Sequence, residues 1–147
     1  MLNDKIKITG KLNIIVFDTN GNIKTQRGHK NLVVTSGKNW IASRLKNSGQ
    51  PTEMNYIALG TGSGAANVAN TTLATELVRI STSSIVVANN TITYTTTFNP
   101  TVGTGALTEA GIFNAASNGT MLCRTVFPVI NKGASDTVAV TWEITIN

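Results

Sequence analysis

The run Thr137-Val-Ala-Val-Thr-Trp-Glu-Ile-Thr-Ile146 restricts the fold of this chain more than any other stretch. Val138, Val140, Trp142, Ile144 and Ile146 recur on every second position, with Thr137, Thr141, Glu143 and Thr145 between them and Ala139 neutral. Side chains of a strand point alternately to its two faces, so the pattern predicts a strand with one face buried and one face wet. Upstream, Glu109-Ala-Gly-Ile-Phe-Asn114 and Thr120-Met-Leu-Cys-Arg-Thr-Val-Phe127 flank Ala115-Ala-Ser-Asn-Gly119. Asn118-Gly119 is a strong hairpin signal, because both residues tolerate positive φ.

The rest of the chain repeats this grammar. Lys5 to Phe17 reads as strand, Asp18-Thr-Asn-Gly-Asn22 as a turn, and Ile23 to Arg27 as the returning strand. Asn31 to Thr35 is a short β run. Ser36 then offers a cap for a helix over 37–46, in which Ile41 and Leu45 share a face and Arg44 and Lys46 occupy the last turn. Met54 to Leu59, Arg79 to Ala88 and Thr91 to Phe98 complete the strands, with Asn89-Asn90 as a turn and Ile92, Tyr94 and Phe98 on one side. Leu73 to Leu77 allows one helical turn. About eight strands at short spacing, with turn chemistry between them, predict an all-β fold: a single-domain antiparallel β-sandwich (jelly-roll-like) with one short helix near 37–46.

Composition supports the same class. Of 147 residues only 13% are charged, while Thr and Asn contribute 23 and 17. Threonine suits the outer face of a strand better than a helical bundle. No apolar run reaches the eighteen residues of a membrane span, and Met1-Leu-Asn-Asp-Lys5 has no hydrophobic leader core, so no membrane association is expected. The lone Cys123 excludes an intrachain disulfide and reads as a buried, inert thiol.

Charge is unevenly distributed. Residues 1–46 hold nine basic against two acidic side chains, and the remainder holds three against five, which divides the net +5 into +7 and −2. The excess points to an acidic partner for the N-terminal third, with a solvated, solubilising face as the alternative. The docking residues implied are Lys5, Lys7, Lys11, Lys24, Arg27 and Lys30, on a hairpin over 1–28 that could serve as a docking arm. Lys24 and Arg27 are three apart and share a face only if a bulge intervenes.

Catalytic patterns are not apparent. His29, the single histidine, lies among Arg27, Gly28 and Lys30 and reads as a solvated turn residue. Glu109 and Glu143 could meet across strands, but seven acids in the chain make a chance pair the simpler reading. Gly60-Thr-Gly-Ser-Gly64 follows a strand as a phosphate loop does. However, no Gly-Lys-Ser/Thr follows and Ala65 occupies the third fingerprint position, so a flexible surface loop through Thr72 is expected. The basic third lacks interleaved aromatics, which argues against nucleic acid, and both Trp40 and Trp142 read as core, which argues against a sugar-stacking platform. No cofactor or metal is implied.

The stretches Asn31-Leu-Val-Val-Thr-Ser-Gly-Lys-Asn39, Tyr56-Ile-Ala-Leu-Gly-Thr-Gly-Ser-Gly64, Thr72-Leu-Ala-Thr-Glu76, Glu109-Ala-Gly-Ile-Phe-Asn114 and Asn131-Lys-Gly-Ala-Ser-Asp-Thr137 lie in a fixed order. In that order they resemble small structural proteins of tailed bacteriophages, over roughly residues 30–146. The resemblance implies a non-enzymatic virion component assembled in the bacterial cytoplasm. Its partners would be the major capsid protein or tail proteins, and it would stand as a homo-oligomer or as symmetric lattice copies. It transfers no catalytic residue. Head decoration is the expected role. The alternatives are a tail, collar or baseplate component, and a carbohydrate-binding adhesion module.

Overall fold

A computed structural model describes residues 4–147. Among these residues the chain forms ten strands and one helix, arranged as two five-stranded antiparallel sheets packed face to face. The first sheet has the order β2 (Ile23–Lys30), β1 (Ile8–Phe17), β10 (Thr137–Ile146), β7 (Thr91–Phe98), β6 (Ser84–Ala88). The second has the order β3 (Leu32–Val33), β9 (Met121–Lys132), β8 (Gly105–Phe113), β4 (Tyr56–Gly60), β5 (Glu76–Ser81). The chain crosses between sheets after β2, β5, β7 and β9, and the helix α1 (Thr35–Arg44) packs against β9.

The alternating run becomes the central strand of the first sheet. Trp142 stands opposite Leu12 on one side and Tyr94 on the other; Val140 stands opposite Ile14, and Val138 opposite Val16 and Phe98. These side chains meet Ile57, Leu59, Leu107, Ile112, Cys123, Phe127 and Ile130 of the second sheet in one continuous core. Trp142 is fully buried, and Glu143, facing outward, is exposed. The hairpin β8–β9 turns at Asn118 and Gly119, both at positive φ (53° and 71°), as the Asn-Gly pair requires.

Several elements differ from the sequence expectation. The run from Arg79 to Ala88 is two strands in different sheets. At the corner, the Thr82 N–H donates to Asn55 O of one sheet and the Ser83 N–H to Thr95 O of the other, 2.8 Å each, so adjacent amides divide the run. Leu73 to Leu77 forms no helical turn; its end enters β5 through pairing with β4. His29 lies within β2, half-buried, with its ring 5.9 Å from that of Phe127. The N-cap position is Val34, which gives no side-chain cap, and Ser36 lies inside the helix with its hydroxyl donating to Met121 O at 3.0 Å. The helix does not bury an Ile41–Leu45 stripe, since Leu45 is 86% exposed. It seats on β9 through Gly37 instead: a Cβ there would stand 2.1 Å from Leu122 O, so only glycine allows this approach. The N-terminal hairpin is built into the sandwich, since β1 pairs with β10 along its whole length and buries Leu12, Ile14 and Val16.

Candidate functional site

The basic residues converge in part. Lys7, Lys11, Lys30 and Lys38 line an open cleft of about 560 Å³ beside the start of β1, together with Asn31, Glu143 and Thr145. The sequence folds this way for local reasons. Lys7 and Asn147 exchange backbone hydrogen bonds of 2.8 and 2.7 Å, which carries the β1–β10 ladder beyond the strand end. Lys11 stands opposite Lys30 on one side and Glu143 on the other, so the three side chains share one row on the outer face of the sheet. Like charges directly opposite repel, and the Lys11–Lys30 pair persists at an edge where water screens it. The helix brings Lys38 to the same cleft from the other side. None of the four lysines forms an ion pair among the described residues.

Asn31 anchors the wall of this cleft. The Trp142 indole can only donate, and its Nε1–H reaches Asn31 Oδ1 at 2.7 Å, so the amide oxygen must face inward. Gly10 makes room for it, because a Cβ at that position would overlap the Asn31 amide at 1.8 Å. Two features of the sequence bear on this contact: a buried tryptophan needs an acceptor, and a glycine within a strand marks a close approach.

The other predicted docking residues lie elsewhere. Lys5 is exposed in the segment before β1. Arg27 stands opposite Ile14 and so belongs to the other face of β2 from Lys30. Lys24 sits in the bulge where the register shifts between Val16 and Phe17, and its ammonium is 2.6 Å from Asp136 Oδ2. That bond and a second from the Gly133 N–H, helped by the Lys24 and Lys132 charges, outweigh the upward push of burial and hold the Asp136 carboxyl below the usual carboxylate range. Lys24 is therefore a structural clamp on the Gly133–Asp136 turn.

The glycine loop is not the free surface loop that its composition suggests. Glu109 on β8 is wholly buried beneath it and accepts five hydrogen bonds. Oε1 takes the N–H groups of Gly62 (3.0 Å) and Thr75 (2.7 Å); Oε2 takes Ala74 N–H (2.9 Å) and Arg124 Nε and Nη2 (3.0 and 2.7 Å). Arg124 gives its remaining protons to Gly64 O (2.8 Å), Ala65 O (3.2 Å) and Asn70 Oδ1 (3.0 Å). Burial pushes the Glu109 carboxyl up, but the Thr75 and Ala74 amides and the Arg124 guanidinium outweigh it and hold it below its ordinary value. The backbone amides that a phosphate loop would offer to an anion are taken by the protein's own carboxylate. Leu73, under the same loop, joins Val34, Ala58, Phe113 and Met121 in a second small core. Glu143 stands on the outer face of the other sheet, so the two carboxylates do not form a pair. Cys123 is fully buried, and burial pushes its thiol up, which leaves it unreactive.

Trp40 is half-buried and packs against the main core from its margin. It donates from Nε1 to Thr52 O at 2.8 Å and carries the Arg44 guanidinium 5.7 Å from its ring centroid. With Ile41, Leu45, Ile85, Val87 and Ile146 it lines an apolar groove of about 450 Å³. Compared with protein-family models, characterised proteins and solved structures, the chain matches none.

Proposed function

We propose that this protein is a non-enzymatic structural component of a bacteriophage virion, a capsid decoration protein that docks on an acidic region of the head through its basic cleft. The observation that carries the docking surface is the convergence of Lys7, Lys11, Lys30 and Lys38 on one cleft, where Glu143 is the single acid and none of the four lysines forms an ion pair among the described residues. The sequence resemblance supplies the virion setting. The fold supports such a role by holding the lysines on a rigid frame, since β1 is tied along its length to the central strand. Exposed charges are screened within about 8 Å at physiological salt and each contributes little affinity, so they act chiefly on encounter rate and orientation.

The test is co-sedimentation of purified protein with separated heads and tails of the particle over a salt series. Lys7→Glu, Lys11→Glu and Lys30→Glu combined should leave the circular dichroism spectrum unchanged and slow attachment to heads, more at low salt than at high. Attachment indifferent to these changes would leave the lysines as a solubility feature. Attachment to tails alone would make the protein a tail, collar or baseplate component.

A further inference from the structure

The first sheet has two unlike edges. One edge, β2, carries Lys24, Arg27 and Lys30, and such charges keep an exposed strand from pairing with other chains. The edges of the second sheet are limited in other ways: β3 is two residues long, and β5 carries the Arg79–Glu76 ion pair. The remaining edge, β6, is Ser84-Ile-Val-Val-Ala88. It has no charge, no proline, no glycine and no register shift against β7. All five residues are exposed, with Ile85, Val86 and Val87 at 42%, 55% and 67%. An uninterrupted apolar strand with one row of backbone N–H and C=O groups facing no neighbour is a template for another strand.

We propose that β6 is the contact through which two copies of this chain associate, by antiparallel pairing of β6 with β6 about a two-fold axis at Val86. Three features select a second copy. The strand is self-complementary about its centre, since Val86 then meets Val86 of the partner, Ile85 meets Val87, and Ser84 meets Ala88. The faces also match. Ile85 and Val87 stand opposite Tyr94 and Ile92 and so point to the inner side, while Val86 stands opposite Thr93 on the outer side. Directly opposed residues of an antiparallel pair share a face, so this register puts Ile85 against Val87 on the inner side and Val86 against Val86 on the outer, flanked there by the uncharged Ser84 and Ala88.

Charge is the third feature. Each copy carries +5, yet the sheet order β2-β1-β10-β7-β6 puts the lysine-bearing edges at the far ends of the joined ten-stranded sheet. The apolar groove next to β6 has one residue of each sign at its rim, Arg44 and Glu53, so two grooves meet without net charge. A stable interface hides roughly 800 Å² per partner, more than five strand residues supply. The exposed Leu45 and Ile146 line the same groove as Ile85 and Val87, and on this proposal the partner's groove residues supply the remaining buried area. This inference is independent of the virion reading.

Sedimentation equilibrium of the purified protein over a concentration series should show a monomer–dimer equilibrium. Val86 faces outward, so its substitution does not enter the core. Val86→Lys and Val86→Glu should each keep the native circular dichroism spectrum and raise the dimer dissociation constant by about tenfold or more, because each brings two like charges together at the axis. An equimolar mixture of the two variants should restore the dimer. Val86→Cys should form a dimer cross-link under mild oxidation, with Cys123 buried and Ser84→Cys as the non-linking control. A protein that stays monomeric at every concentration would overturn the proposal. So would a dimer unaffected by Val86→Lys, or a mixture of variants that fails to recover it.

Discussion

Glu109→Gln isolates the bolt beneath the glycine loop, because it keeps the shape of the side chain and removes only charge and one acceptor. Glutamine has one oxygen and one NH2 group. With its oxygen towards Gly62 and Thr75, the NH2 faces three donors: Ala74 N–H, Arg124 Nε–H and Nη2–H. Flipped, it faces the Gly62 and Thr75 amides instead. At least two buried donors lose their acceptor in either orientation, at about 1–3 kcal/mol each. A buried guanidinium left without its counter-charge leads independently to a similar cost of about 3–5 kcal/mol. At this chain length about 4 kcal/mol corresponds to a fall in Tm of roughly 8–16 °C.

Urea unfolding followed by circular dichroism measures the loss, and hydrogen exchange locates it, with faster exchange expected first at Gly62, Ala74 and Thr75. A stability change below about 1 kcal/mol, or unchanged protection of those amides, would refute the view that Glu109 holds the loop. The apolar double variant Glu109→Leu with Arg124→Met sharpens the test. An ion pair alone in an apolar core can be replaced by packed hydrophobes at little cost. Here the replacement should stay destabilising, because three backbone N–H groups and the Gly64 and Ala65 carbonyls lose their partners with it.

Trp142→Ala should cost about 3–5 kcal/mol in the same denaturation assay, through lost burial and a cavity between the sheets, while Glu143→Ala on the opposite face of β10 should change stability by less than about 1 kcal/mol. Acid should destabilise the fold: the carboxyls of Glu109 and Asp136 lie below their ordinary values in the folded state, so their contribution is complete above the usual carboxylate range and is lost as pH falls through the depressed values. A pH series of urea midpoints checks this, and Glu109→Gln should flatten the acid limb.

The parts of this fold that were legible are those decided by neighbours in sequence. Val138 to Ile144 announce a strand because period two is a local property, and Asn118-Gly119 announces a turn because positive φ is one. What was not legible depends on partners far along the chain. Gly60 to Gly64 has the composition of a mobile loop, and nothing within it reveals that Glu109 and Arg124 lie beneath. Lys38 joins Lys7, Lys11 and Lys30 only because Gly37 lets the helix settle on β9. Lys24 looked free until the bulge turned it to Asp136. The division of Arg79 to Ala88 was hidden for a similar reason, since Thr82 and Ser83 suit a strand and their two amides simply find acceptors in different sheets.

The scarcity of charge follows from the first sheet. Its outer face is built row by row from small uncharged polar groups: Thr9, Thr145 and Thr91 in one row, and Asn13, Thr141, Thr95 and Ser84 in another. Threonine is β-branched and favours the strand, while its hydroxyl satisfies itself locally, as Thr91 and Thr145 do at 3.0 Å. These rows need no lysine or glutamate to stay wet; the outward Lys30, Lys11 and Glu143 share a single row across β2, β1 and β10, and β6 has no charge. The two edges of this sheet differ in character, one basic and one apolar. The basic side suits an acidic surface and the apolar side suits a strand like itself. If both proposals hold, the chain meets an acidic partner at one edge and its own copy at the other, the two edges lying at opposite ends of the same sheet.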